Sequence, residues 1–155
     1  MPQDTHEAVT AGRTRVLVPV DSSELAEKAL RTTLSLHPDA EVTVLHVIDF
    51  RTSDLGPGGW GSSPTAFDEW LAEARGATAD LLAKAEAVAT EYDTEVTTDS
   101  VVGEDAQSII QYAVDRDADV IVMGSHGRSL PARILLGGVS ETVVRRAPVP
   151  VMVVR

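Results

Sequence analysis

Short branched apolar runs alternate with longer stretches of helical period along this chain, and no linker or shift in composition interrupts the alternation. That order restricts the fold more than any other feature, because strands separated by helices pair in parallel and need a helical layer on each face of the sheet. The first run, Arg15 to Val20 (RVLVPV), is nearly continuous in apolar residues, as a strand covered on both faces should be, and it ends at Asp21. Ser22 or Ser23 then caps a helix whose Ala26, Ala29, Leu30 and Thr33 form an apolar stripe, with Glu24 and Glu27 near its positive end and a stop near His37-Pro38.

Glu41 to Ile48 (EVTVLHVI) reads as a second strand, and Asp49 to Pro64, rich in Gly, Ser and Pro, as a long loop. From Ser63-Pro64 a long helix follows, with Phe67, Trp70, Leu71, Ala74, Thr78, Leu81, Leu82, Ala85 and Val88 at helical spacing. Glu95 to Val102 is polar at alternate positions, which places it near a sheet edge. Ala106, Ile109, Ile110, Ala113 and Val114 mark a third helix, Asp119 to Met123 a buried fourth strand, and Val149 to Val154 a fifth behind a short helix that ends near Arg146. Joined under the right-handed crossover rule, these elements give a three-layer, doubly wound α/β sandwich on a five-stranded parallel sheet, Rossmann-like in class. Residues 15–155 are expected to form that single domain, and residues 1–14 a loosely ordered tail.

Composition narrows the partners. A chain of 155 residues, 43% hydrophobic, suits one domain with a full core, and a formal charge of −11 argues against coating nucleic acid or anionic lipid. Only Lys28 and Lys84 are lysines, a balance that suits concentrated salt. Cysteine is absent, and His6, His37, His46 and His126 lack ligand spacing, so neither a disulfide framework nor a metal site is indicated. No apolar run approaches the roughly 18 residues that span a bilayer, and Met1 to Gly12 lacks the layout of a signal peptide, so the expected location is cytoplasmic.

Open parallel sheets bind ligands beyond the carboxyl ends of their strands, where the strand order reverses, which directs attention to Asp21 and Gly124. After the fourth strand the chain reads Gly124-Ser-His126-Gly127-Arg128, and Gly137-Gly138-Val139-Ser140 opens the last helix. Glycines let backbone N–H groups approach an anion, and a helix N-terminus adds unpaired donors, so the segment outlines a phosphate cradle. Charge agrees: His126 to Arg155 holds five arginines and one glutamate, a local +4, against −15 for Met1 to Ser125. Blander roles compete for several of these residues. Asp21 also suits a helix cap, His46 a hydrogen-bonded core position, Val47 and Met123 the core, and Arg145 and Arg146 the negative end of the last helix. Trp60 and Trp70 suit packing of the long loop and the second helix. Gly56-Pro-Gly58-Gly59-Trp-Gly61 matches a dinucleotide fingerprint literally but does not open a helix, and no Gly-Lys-Ser/Thr ending exists, so neither motif is accepted.

The Gly-x2-Gly-x9-Gly pattern behind VIVMGSHGRS, with VSETVVRRAPVPVMVV after it and VLVPVDSS at the start, resembles the universal stress protein family from Arg15 to the C-terminus. The resemblance implies a five-stranded fold like that of the adenine nucleotide alpha hydrolases, dimers formed through the last strand, and ATP binding, with AMP or ADP as alternatives and Mg²⁺ accompanying a triphosphate. Pro19 and Val20 would form the pocket wall, Asp21 would contact the ribose or adenine, and Val47 and Met123 would flank the base. Gly124, His126, Gly127 and Arg128 would border ribose and phosphates, while Gly137, Gly138, Val139 and Ser140 would hold phosphate oxygens. The family pattern puts Ser or Thr where this chain has Gly138, which removes one hydroxyl donor, a loss of about tenfold to hundredfold in affinity unless backbone donors, Ser140, Arg128 or Arg133 compensate.

Three functions remain: a stress-response nucleotide-binding homodimer, a dimeric interaction protein that has lost the ligand, and a slow ATPase. The last is weakened because no nucleophile, general base or carboxylate pair accompanies the glycines, and Asp21 is the sole acid expected there; no catalytic residue is assigned. The apolar C-terminal strand, residues 149–154, would leave an unpaired edge in a monomer, so it is the expected homodimer contact.

Overall fold

A computed structural model describes residues 12–52, 64–126 and 136–155. In chain order the elements are β1 (Arg15–Pro19), α1 (Glu24–Leu36), β2 (Glu41–Ile48), a 3-10 turn (Phe50–Thr52), α2 (Pro64–Glu91), β3 (Thr97–Val102), α3 (Asp105–Asp115), β4 (Val120–Gly124), α4 (Gly138–Arg146) and β5 (Val151–Val154). Residues 1–11 of the expected tail, the Gly56–Gly61 stretch with Trp60, and Gly127, Arg128 and Arg133 lie outside the described residues. The strands form one parallel sheet in the order β3-β2-β1-β4-β5, so the doubly wound sandwich is observed and the polar β3 does lie at an edge.

Alternation along the buried strands sorts the core into two halves. Val16, Val18, Val42, Val44 and Val122 face α1 and α2, where they meet Ala29, Leu30, Leu34, Val88 and Ala89. Leu17, Leu45, Val47, Ile121 and Met123 face α3 and α4 and meet Ile109, Ala113 and Val143. Both faces of the central strands are therefore covered, which is why β1, β2 and β4 are mostly apolar, with Arg15, Glu41, Thr43 and His46 as exceptions. The fifth strand begins at Val151, later than expected. Pro148 and Pro150 have no N–H to donate, and the Pro150 carbonyl makes the first link by accepting from Ile121 N at 3.0 Å.

Proline also shapes the middle of the sheet. Backbone groups of a parallel strand point alternately to its two neighbours. Val20 N donates to Leu45 O at 2.8 Å, so even-numbered residues of this segment face β2, and Arg15 N donates to Asp119 Oδ2 at 2.8 Å on the β4 side, so odd-numbered ones face β4. Pro19 accordingly withholds the donor that would continue the ladder to β4. The β1–β4 pairing runs through Val16↔Val120 and Leu17↔Ile121, while β1–β2 continues to Pro19↔Leu45. The two central strands thus part at their carboxyl ends, at the point where strand order reverses.

Gly124 closes β4 against the start of α1. A Cβ there would lie 2.9 Å from Leu25 Cβ, 3.1 Å from Leu25 C and 3.2 Å from Leu25 O, so the glycine is needed for close approach of helix and strand. A Cβ on Gly138, at the first turn of α4, would meet nothing within 4 Å. Gly124→Ala is therefore expected to destabilise the fold by about 1–3 kcal/mol, because backbone atoms cannot yield. Gly138→Ala should be neutral or stabilising by up to about 1 kcal/mol. Urea unfolding of the two variants separates these outcomes, and equal effects would contradict the packing role of Gly124.

Candidate functional site

Where β1 and β4 part, a cavity of about 760 Å³ lies across the carboxyl ends of β4, β1 and β2. That volume is ordinary for a small-molecule site. Pro19, Val20, Asp21, Val47, Met123, Gly124, His126, Gly137, Gly138, Val139 and Ser140 all line it, so the structure brings together every expected site residue that is described. These residues come from four separate stretches of chain, and the sheet order makes them neighbours.

The helix N-termini that border the cavity are finished differently. In α1, Ser23 Oγ accepts from Ala26 N at 3.2 Å, and Asp21 Oδ1 accepts from Ser23 N at 2.8 Å. Asp21 thus supports the cap without being it, and its Oδ2 has no partner among the described residues. In α3 the N-cap Glu104 makes no side-chain capping bond, and Asp49 from the end of β2 substitutes, its Oδ2 accepting from Asp105 N at 3.1 Å. α4 has Gly137 as N-cap with no side chain to cap it. Gly137 N is spent on Ser125 O at 2.7 Å, and the first helical bond runs from Glu141 N to Gly137 O. The amides of Gly138, Val139 and Ser140 therefore have no helical acceptor, and they carry the positive end of the helix dipole at the cavity.

Two expected roles change with this geometry. Ser140 was expected to bind phosphate and to replace the missing hydroxyl, but its Oγ donates to Gly124 O at 2.8 Å and the residue is 3% exposed. Its side chain pins α4 to the end of β4, leaving only its amide for a ligand. Gly124 lines the cavity and has a second role that was not expected, the close packing of β4 on Leu25.

Asp21 is also not the sole acid. Asp49 and Asp105 line the same cavity, with His46 beside them. Asp49 is buried, and both its oxygens are used: Oδ1 accepts from Arg51 N at 2.9 Å and Arg51 Nε at 3.1 Å, and Oδ2 from Arg51 Nη2 at 2.8 Å and Asp105 N. Burial pushes the Asp49 carboxyl up, but the Arg51 side chain and the backbone amides of Arg51 and Asp105 hold it below the ordinary range. Asp105 goes the other way, pushed up to about 6 by burial first and the charge of Asp49 second. His46 is half-buried, and its Nδ1 lies 2.8 Å from Val20 O. A carbonyl only accepts, so that nitrogen carries the proton. One wall of the cavity comes from α2 through Trp70, Ala74, Ala77, Thr78 and Leu81, a contribution that the packing role expected for Trp70 did not include. Asp49 had a visible signal, since it ends its strand as Asp21 ends the first. Asp105 had none, because it and Asp49 are 56 residues apart. Among the described residues no group of three His, Asp or Glu side chains is placed to hold a metal ion, and no helix is long and apolar enough to cross a membrane.

A family model described as the universal stress protein family matches residues 12–155. Universal stress protein MJ0577 of Methanocaldococcus jannaschii is 34% identical over 154 residues, covering 91% of this chain and 94% of the relative. Among solved structures, UspA of Lactobacillus plantarum is similar with 31% identity and a TM-score of 0.74, over 93% of this chain and 99% of that one. A universal stress protein from Archaeoglobus fulgidus, solved in complex with dAMP, is 25% identical with a TM-score of 0.61, over 93% of this chain and 98% of that one.

The raised Asp105 carboxyl makes the site a measurable cost to stability. Its folded value of about 6 exceeds the ordinary 3.8, so the folded state holds the proton more tightly, and stability falls as pH rises between those values. Asp105→Asn removes the charge and should stabilise the protein above about pH 6 by about 1–2 kcal/mol, after allowance for partial solvent screening, with the difference closing below about pH 4. Urea denaturation across pH checks this; a constant difference between wild type and variant would exclude a buried charge as its source.

Proposed function

The chain belongs to the universal stress protein family, and we propose that it is a nucleotide-binding member whose cavity holds ATP, or AMP or ADP, at the carboxyl ends of β1, β2 and β4. The observation that carries this reading is the uncapped N-terminus of α4, which presents the amides of Gly138, Val139 and Ser140 at one end of a cavity bordered in its middle by Asp21. Phosphate oxygens would accept from those amides, a ribose hydroxyl would donate to Asp21, and the base would lie between Val47 and Met123. The similarity to the Archaeoglobus protein solved with dAMP supports the same class of ligand. A triphosphate would bring Mg²⁺ as its counterion, which lowers the charge that the cavity must accept. Within a stress response the protein would act through occupancy of this site, as a switch for partners rather than through turnover.

Self-association is part of the proposal. β5 borders only β4 and leaves its other edge free, with Val151, Met152 and Val153 half-buried. Pro150 O and Val154 O face β4, so the backbone groups of Val151 and Val153 face outward and can pair with a second copy, joining residues 149–154 into a twofold contact. Val153→Pro removes one outward donor and spares the ladder to β4. Sedimentation at micromolar concentration should give a dimer for the wild type and a monomer for this variant; a monomeric wild type would refute the contact.

Mass spectrometry of the purified protein should find a bound adenine nucleotide, and ATP at about a hundred times its dissociation constant should stabilise the fold by about 3 kcal/mol. Gly138→Ser restores the missing hydroxyl in a position with nothing within 4 Å of its Cβ. It should tighten ATP by about tenfold or more and leave adenosine unchanged. Absence of any thermal shift with ATP, AMP and ADP in both proteins would favour the interaction protein that has lost its ligand.

A further inference from the structure

Resting on the nucleotide reading, the sheet order fixes which end of the ligand lies where. α4 follows β4 on one side of β1, and α3 follows β3 beyond β2 on the other. A ligand with its phosphates on α4 therefore extends past Asp21 toward Val47, Ile109 and Asp105. We propose that Asp105 chooses the base: its protonated carboxyl pairs with adenine, and its carboxylate pairs with guanine.

The chemistry follows from what each form offers. A carboxylic acid donates one O–H and accepts at its other oxygen, which complements the acceptor ring nitrogen and N6 amino donor that adenine presents side by side. A carboxylate only accepts, which complements the adjacent N1–H and N2 amino donors of guanine. Asp105 is available for this because Asp49 is not. Both Asp49 oxygens are bonded to Arg51 and to the Asp105 amide, whereas the Asp105 carboxyl has no hydrogen-bond partner among the described residues.

Its surroundings hold it near the point of exchange. Asp49 after β2 and Asp21 after β1 raise it, while His46 on β2 and Arg51 of the 3-10 turn lower it, and burial is the largest influence, giving a value of about 6. Glu104, its neighbour in sequence, lies 3.9 Å from Arg51 Nη1. From β4, His126 reaches the cavity, and α2 contributes only uncharged residues to it. Proton occupancy at Asp105 thus changes within the range where proteins are ordinarily studied.

Calorimetric titration of ATP and GTP into wild type and Asp105→Asn, at about pH 5.5 and about pH 7.5, tests the assignment, and the ratio of the two affinities cancels titration of the phosphates and of groups away from the base. In the wild type the preference for ATP over GTP should fall about tenfold or more between the lower and the higher pH. The Asn amide donates and accepts like the protonated acid, so the variant should prefer ATP equally at both. A wild-type ratio that does not move, with both nucleotides bound, would overturn base choice by Asp105 and leave the nucleotide reading standing. A shift that persists in the variant would assign it to another group. Failure of both nucleotides to bind at either pH would overturn both readings.

Discussion

A single withheld hydrogen bond opens this molecule. Pro19 stands at the one position of β1 whose donor would carry the ladder to β4 beyond Leu17↔Ile121, and the central strands separate there. Several of the polar groups placed at the cavity come from chain leaving those strand ends, with Asp21 after β1, Asp49 after β2 and His126 after β4; α3 adds Asp105, α4 its N-terminus and α2 an uncharged wall. Elsewhere β1, β2 and β4 pack apolar side chains against a helical layer on each face of the sheet.

Three helices begin around this opening, and an unpaired helix N-terminus is costly unless something fills it. The sequence solves the problem twice with its own side chains, using Ser23 for α1 and the distant Asp49 for α3. At α4 it uses glycine, which fills nothing. Ser140, the nearby residue with a hydroxyl, is turned away to hold Gly124 O. The glycines of the motif consequently serve different ends. Gly124 lets α1 close on β4, and Gly138 leaves the helix start open.

The fold was legible because branched apolar runs and helical periods do not mimic one another, and the boundaries of α1, β2 and α3 follow from stripes and caps close in sequence. Strand ends were less legible: β5 begins only after the last of two prolines, and Thr97, not Glu95, begins β3. The glycine end of the site could be read because its donors lie in one stretch. The acidic end was legible only in part, since Asp49 ends its strand as Asp21 ends the first but nothing local marks Asp105 as its neighbour. Their meeting depends on β2 and β3 being neighbours, which no local pattern encodes. The use of Ser140 as a tether was hidden for a similar reason, because hydrogen-bond direction is a property of the folded pair.

The two ends of the cavity would also select one orientation of the proposed nucleotide. One end offers three amides and the positive pole of α4; the other holds Asp49 and Asp105, with Asp21 between. A molecule that is anionic at one end and carries hydrogen-bond donors at the other satisfies both. Turned around, it would set phosphate against carboxylates in a partly desolvated space and leave the amides of α4 unfilled, a penalty at both ends together. Arg51 keeps this polarity from becoming prohibitive. It neutralises Asp49, the most buried of the three acids, and leaves the less buried pair to face the ligand. Removing that arginine would therefore do more than break an ion pair, since it would return a second unbalanced charge to the end of the cavity where Asp105 already resists ionisation.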